Sequence, residues 1–350
     1  MTRAFVFAVP GDLATPTGGY AYDRRIIAEL VPLGWHAEIL DLGHEFPCPG
    51  PARRAAARAA LASVPNGRAI VIDGLALGAL PEVAAALASS HKLIALVHHP
   101  LALETGLAPP TRDALKRSER AALAAARHII VTGGITARVL VSDYAVPADR
   151  ISVALPGVDP VPAAPGGNST LPALLAVGAL VPRKGYDVLL STLVQIADLP
   201  WRLTIAGARD RSPATAAELA ALIAAHGLEE RVVLAGAVSD ARLAELYAEA
   251  DVFVLASRFE GYGMAYAEAI AHGVPVIGTT AGAIPETVAA DAGILVAPDD
   301  SEALATALRR VIQDHDERRR LAAGARAAAG RLPRWPQAAE IFARVLEAVA

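Results

Sequence analysis

The sequence predicts an α/β protein of two Rossmann-like domains, each built on a parallel sheet, and three observations carry that expectation. Short apolar runs alternate with Ala-rich helical stretches along the chain. The alternation stops once, at Leu155-Pro-Gly-Val-Asp-Pro-Val-Pro-Ala-Ala-Pro-Gly-Gly-Asn168, which holds four prolines and three glycines and reads as a linker. It then restarts, and strands separated by helical stretches of this length form βαβ units.

In the first half the strands fall at Ala4–Val9, His36–Leu40, Ala69–Ile72, Leu93–Val97, His128–Val131 and Ile151–Val153, with helices such as Tyr22–Leu33 and Asp113–Ala126 between them. In the second half they fall at Leu174–Val177, Arg202–Ile205, Val232–Leu234, Val252–Leu255, Val274–Ile277 and Ile294–Val296. Helices are expected there at Tyr186–Ile196, Pro213–His226, Asp240–Glu249, Met264–His272 and Ser301–Asp314. This gives domains over 1–160 and 161–332. Loops at the carboxyl ends of both sheets would then face a common cleft. Arg331-Leu-Pro-Arg-Trp-Pro336 interrupts the chain, and 333–350 follows as an amphipathic helix with Ile341, Phe342, Val345 and Leu346 on one face. Whether that helix packs locally or crosses back is open at this point.

Composition narrows the function. Among 350 residues, 32 basic and 36 acidic side chains leave a formal charge of −4, which does not suit a nucleic-acid binder. The single cysteine, Cys48, excludes an internal disulfide and fits a reducing compartment. No secretory signal opens the sequence, and no charge-free apolar run reaches the roughly 18 residues of a membrane helix, so the expected location is cytoplasmic. Basic clusters at Arg53, Arg54, Arg58 and at Lys116, Arg117, Arg120 raise peripheral docking on anionic lipid at an inner membrane face. Their helices lack Trp or Phe on an apolar face, and solvated helix faces are the preferred account.

Ser257-Arg-Phe-Glu-Gly-Tyr-Gly-Met-Ala-Tyr-Ala-Glu268 is the most informative segment. It sets Glu260 and Glu268 eight positions apart around Gly261-Tyr262-Gly263, between a buried strand and the helix opened by Met264. The glycines let backbone approach a ligand, and unpaired N–H groups at a helix start favour an anion. Eight helical residues span about 12 Å, a reach that suits a nucleotide-sugar. One carboxylate would hold hexose hydroxyls, the other ribose hydroxyls, and the loop amides the phosphates between.

Two further segments complete the pattern. Ala176-Val-Gly-Ala-Leu-Val-Pro-Arg-Lys-Gly185 brings Arg183 and Lys184 to a strand end ahead of a helix, where two cations neutralise a diphosphate without a metal. No Asp-x-Asp pair stands beside a strand end, and Asp299-Asp300 reads as a helix cap, so no metal is expected. In the first half, Pro10–Gly19 is a glycine-rich anion cradle without the Gly-Lys-Ser/Thr of a P-loop. His98-His99 closes the fourth strand.

Together these residues resemble glycosyltransferase family 4, retaining enzymes of the GT-B architecture. Glu260 and Glu268 match the family's E-x7-E signature, and Ala281–Glu286, Ala292–Asp300 and Trp335 with its final helix follow in the expected order. The resemblance implies that the last helix crosses back to the first domain. It implies metal-independent transfer of a hexose from a nucleoside-diphosphate sugar to a small-molecule, glycan or lipid-linked acceptor, with no cofactor. It assigns Glu260, Lys184, Arg183 and His98 to catalysis. It assigns Glu268, Gly261, Tyr262, Gly263, Met264, Gly18 and Gly19 to the donor, the acceptor hydroxyl entering near His98 and the glycine pair. Two departures stand out. Ala179 replaces the family's arginine after the strand-end glycine, leaving Arg183 to supply that charge, and Gly261 replaces a proline common in the family.

Rival readings are weaker on these residues. A nicotinamide enzyme is opposed by Tyr266 in place of the third glycine and by Gly278-Thr279-Thr280, which lacks the acidic ribose ligand. A pyridoxal-dependent phosphorylase would need a Schiff-base lysine, and the surroundings of Lys184 suit phosphate better. A nucleotide-sugar-binding protein without turnover draws its support from Ala179. Donor base, donor sugar, acceptor and oligomeric state are not readable.

Overall fold

A computed structural model describes residues 3–162, 164 and 171–349. Of the predicted linker, residues 163 and 165–168 lie outside the described residues. The chain divides into two compact units. One comprises Met1–Thr15, Gly19–Gly157 and Pro333–Ala350, and the other Pro16–Gly18 and Val158–Leu332.

The first unit runs β1 (Arg3–Val9), α1 (Gly18–Leu30), β2 (Trp35–Asp41), α2 (Pro51–Ala62), β3 (Ala69–Asp73), α3 (Gly74–Leu77), α4 (Pro81–Leu87), β4 (Lys92–Val97), α5 (Pro109–Ala125), β5 (His128–Val131), α6 (Gly134–Tyr144) and β6 (Ile151–Val153). The strands pair in parallel in the order β2-β1-β3-β4-β5-β6. The central strands are apolar on both faces because helices cover both, as a parallel sheet requires.

The second unit runs β7 (Ala173–Val177), α7 (Tyr186–Gln195), β8 (Arg202–Ala206), α8 (Pro213–Ala225), β9 (Val232–Gly236), α9 (Asp240–Glu249), β10 (Val252–Val254), α10 (Met264–Ala271), β11 (Val276–Thr279), α11 (Ile284–Thr287), β12 (Gly293–Val296), α12 (Ser301–Gln313) and α13 (His315–Ala329). Its parallel sheet has the order β12-β11-β10-β7-β8-β9. Direction reverses between β7 and β10, so the loops after those two strands diverge and leave a crevice at the sheet's carboxyl edge. In the first unit the reversal lies between β1 and β3. These two switch points locate the residues discussed below.

Both sheets contain the expected strands, and the differences are local. α1 begins at Gly18 rather than Tyr22, so the glycine pair forms the helix's first turn instead of an open loop. Low helix propensity concealed this, although the first turn lacks intrahelical N–H bonds in any case. β11 lies later than Val274–Ile277 because Pro275 has no N–H for the ladder. Of the Asp299-Asp300 pair read as a cap, Asp300 caps α12, its Oδ1 accepting from the Ala303 N–H at 2.9 Å, while Asp299 accepts from Arg258. α13 was unassigned in the sequence because its Ala-Gly-Ala run gives no clear apolar stripe, yet Leu321 and Ala325 are fully buried.

α14 (Trp335–Val349) belongs to the first unit, as the resemblance implied. The Trp335 ring lies 5.8 Å from Tyr22, and Phe342 lies 6.3 Å from the same ring. Gly157 has no room for a side chain there, since a Cβ would come within 2.1 Å of the Trp335 nitrogen.

Candidate active site

In the second unit the crevice is built by the turn after β7 and the loop after β10. The first turn needs Gly185 in a left-handed conformation (φ 64°) pressed against the Ala256 carbonyl, where a Cβ would stand 2.0 Å from the oxygen. The Arg258 N–H donates to the Arg183 carbonyl at 2.8 Å, joining the two segments. The Arg258 guanidinium ties them again, donating to both carboxylate oxygens of Asp187, to Asp299 and to the Pro182 carbonyl.

Inside this frame Glu260, only 6% exposed, is surrounded by donors. Lys184 Nζ lies 2.7 Å and Ser257 Oγ 2.6 Å from Oε1, and Arg183 donates to Oε2 at 3.4 Å. Burial alone would raise this carboxyl. The charges of Lys184 and Arg183, with the Lys184 and Ser257 hydrogen bonds, outweigh it and hold Glu260 down at about 2. Arg183 also donates to the Phe259 carbonyl at 2.8 Å. Two cations and one carboxylate leave a net positive cluster at the strand ends.

The N–H groups of Gly261, Tyr262, Gly263 and Met264 donate no hydrogen bond among the described residues. They open α10, with Gly263 left-handed at φ 90°, and form an anion-ready start to that helix. Tyr262 is buried and its carbonyl accepts from Thr287 Oγ1 at 2.7 Å, which fixes the loop from behind.

Glu268 lies in the second turn of α10 and is half-buried. Tyr247 donates to its Oε2 at 2.9 Å, and the Tyr247 ring stacks on His272 at 4.9 Å. Burial raises Glu268 to about 7, partly offset by the Tyr247 hydrogen bond. The two carboxylates therefore differ sharply: Glu260 is locked as an anion, while Glu268 exchanges its proton near neutrality.

In the first unit His98 follows β4, the strand next to β3 and the other switch point. Its Nε2 lies 3.1 Å from Asp23 Oδ1 and 3.8 Å from Asp73 Oδ2. Gly19 is beside it, where a Cβ would lie 3.5 Å from His98 Cδ2, an ordinary contact. Gly18 has open space around it. The three groups Asp23, Asp73 and His98 bring one oxygen or nitrogen each within 4.8 Å of one another.

Residues 161–328 match the family described as glycosyl transferases group 1. The second unit carries a glycosyl transferases group 1 domain. The chain is 34% identical over 238 residues to the D-inositol 3-phosphate glycosyltransferase of Xylanimonas cellulosilytica, a match covering 63% of this chain and 57% of that protein. The chain spans less than two thirds of the length of the curated relatives it matches. Sucrose-phosphate synthase from Thermosynechococcus elongatus is similar in structure, with a TM-score of 0.83, 21% identity and 99% of each chain covered. Anabaena Alr3699/HepE in complex with UDP-glucose gives a TM-score of 0.78 at 20% identity, covering 98% of this chain and 99% of that one. At these identities the likeness establishes the GT-B fold.

Within the glycosyl transferases group 1 domain the structure brings Arg183, Lys184, Glu260 and the Gly261–Met264 amides together. Glu268 stands apart in its own hydrogen-bonded setting with Tyr247. Sequence reasoning missed Tyr247, Ser257 and Arg258 as supports, and Asp23 and Asp73 as partners of His98. Asp23 carried one usable signal, its place a turn after Gly19 on the same helix.

Proposed function

We propose that this protein is a retaining glycosyltransferase of family 4 that moves a hexose from a nucleoside-diphosphate sugar to an acceptor hydroxyl. The carrying observation is Lys184 on Glu260 at 2.7 Å, with Arg183 beside it, next to unpaired helix-start amides. Lys184 and Arg183 would bind the diphosphate, with the Gly261–Met264 amides. Glu260, the second half of the cluster, would orient the sugar, and Glu268 would accept from ribose hydroxyls. His98 and the Gly18-Gly19 turn are assigned to the acceptor hydroxyl and the sugar.

In the reaction the bond from the anomeric carbon to the phosphate oxygen breaks while the bond to the acceptor oxygen forms on the same face. The acceptor proton passes to the departing phosphate oxygen. No side-chain nucleophile is used, and no metal is needed where two cations meet the developing charge. Acceptors in reach of this reading are small molecules, glycans or lipid-linked sugars. The relative named for D-inositol 3-phosphate and the neighbour holding UDP-glucose support it. Among the described residues no helix is long and apolar enough to cross a membrane.

The test is calorimetric titration with UDP, GDP and ADP in EDTA, with Glu268→Ala alongside. Micromolar binding of one nucleotide, weakened by the substitution, supports the reading and names the base. Failure of all three with folded protein rejects it.

A further inference from the structure

We infer that Asp23 is a positioning residue that holds His98 as a cation, so that the ring presents an Nδ1–H to an oxygen of the bound ligand. The inference deepens the transferase reading and rests on it for the identity of that ligand.

Two carboxylates from different elements converge on one nitrogen. Asp23 comes from α1 and is fully buried, Asp73 ends β3 and is 4% exposed, and both face His98 Nε2. Asp23 Oδ2 has no hydrogen-bond partner among the described residues, and Oδ1 is held by the imidazole. A buried carboxylate left without a counter-charge is costly, and a protonated ring offsets that cost. Asp73 is separately occupied, its Oδ1 accepting from the Leu75 N–H at 2.7 Å.

The ring is also clamped. Tyr22 meets it edge-on at 5.3 Å, and Tyr22 itself is anchored by donating to the Ala154 carbonyl at 2.8 Å. The Nδ1 atom makes no hydrogen bond among the described residues. Of the titratable groups facing the ring, Asp23 and Tyr22 come from α1 and Asp73 from β3. Burial works against the imidazolium, but the Asp23 charge and hydrogen bond, then the Asp73 charge, raise His98 above its ordinary value. Burial raises Asp73 in turn, opposed by the His98 charge.

A cation between two carboxylates is a poor base and a strong donor. That suits a displacement in which the departing phosphate oxygen takes the acceptor's proton, because no side-chain base is then needed. An Nδ1–H aimed at a hydroxyl of the transferred sugar would contribute a charge-assisted hydrogen bond instead.

Ring-nitrogen NMR on the full chain labelled at histidine tests this, with His98→Gln assigning the resonance. His98 should titrate above the ordinary histidine value of about 6.5. Asp23→Asn should move that titration down and carry the alkaline limb of the transfer rate with it. Nucleotide binding should be unchanged. Should Asp23→Asn fail to fold, Asp73→Asn gives a smaller fall by the same measurement. A wild-type ring that titrates at or below the ordinary histidine value overturns the inference, as does a titration indifferent to Asp23. Micromolar zinc or manganese binding lost with Asp23 would make the cluster a metal site and overturn it too. Absence of nucleotide binding by the wild type would instead defeat the transferase reading, with the His98 titration still deciding the role of Asp23.

Discussion

Lys184 Nζ sits 2.7 Å from Glu260 Oε1, and the contact joins residues that lie 76 positions apart. Both side chains are largely buried, at 14% and 8% exposed. In the proposed reaction Lys184 also meets the charge of the diphosphate. Lys184→Ala should therefore lower the transfer rate by two to three decades, about 3 kcal/mol of transition-state stabilisation. Removing one partner of a buried pair also destabilises, by about 3–5 kcal/mol at the upper end. Melting curves and saturating-donor kinetics on Lys184→Ala and Lys184→Met separate the two effects. Turnover near the wild-type rate would exclude the role. Glu260 titrates at about 2, below the ordinary 4.5, so its stabilising contribution is complete above 4.5 and fades as pH falls towards 2.

Glu268 gives the opposite pH behaviour. Burial raises it to about 7, so it is partly protonated at neutrality. Ribose hydroxyls donate best to the carboxylate form. Nucleotide affinity should then increase as pH rises through 7 and level off above it, with proton release on binding below that point. Calorimetry in buffers of different ionisation enthalpy reports the released protons directly. Glu268→Gln should bind more weakly and flatten the profile. A pH-independent affinity in the wild type would remove Glu268 from the nucleotide site.

Gly282 offers a geometric test of the loop that carries Glu260. It is left-handed at φ 56°, and a Cβ there would stand 2.2 Å from the Glu260 carbonyl oxygen. That oxygen accepts from the Ala283 N–H at 2.9 Å, the bond that seats the loop. Gly282→Ala should therefore displace Glu260 from Lys184. The expected result is a loss of stability on the order of 1–3 kcal/mol with a larger loss of turnover than of nucleotide binding. Denaturant titration and kinetics on the same preparation measure both. An alanine variant with wild-type stability and rate would contradict the description of this turn.

The sheets were legible because their strands are short apolar runs such as Leu174–Val177 and Val252–Val254, which only a buried parallel sheet uses so consistently. Strand order was not legible, because nothing local in Val252–Val254 says that it pairs with β7. The switch point between β7 and β10, which sets Lys184 on Glu260, is thus a product of topology. The residue types at the site were readable, but their partners were not. Glu260 and Glu268 look alike in the sequence. They separate only when Ser257, Lys184 and Arg183 surround one and Tyr247 meets the other. The same holds for Asp23, which reads as an ordinary helical acid until β3 and β4 deliver Asp73 and His98 beside it.

Glu119 yields a stability prediction outside the proposed chemistry. It lies in α5, is 1% exposed, and its Oε2 accepts from the Leu101 N–H at 3.0 Å, holding the turn that follows His98. The Tyr144 hydroxyl faces the same carboxyl. Burial raises the carboxyl to about 7, with the Leu101 N–H and then the Tyr144 hydroxyl opposing. The folded state therefore binds more protons than the unfolded chain between about 4.5 and 7, and stability must fall as pH rises across that window. Glu119→Gln keeps an acceptor for Leu101 but removes the titration. The two proteins should be similar at about pH 5, and the glutamine variant should be more stable at about pH 8. The gap is bounded on the order of 3 kcal/mol by the distance between the ordinary 4.5 and about 7. Urea midpoints of both proteins at the two pH values measure it. Parallel profiles would mean that Glu119 is already ionised in the folded protein, held as an anion by the Leu101 N–H and the Tyr144 hydroxyl.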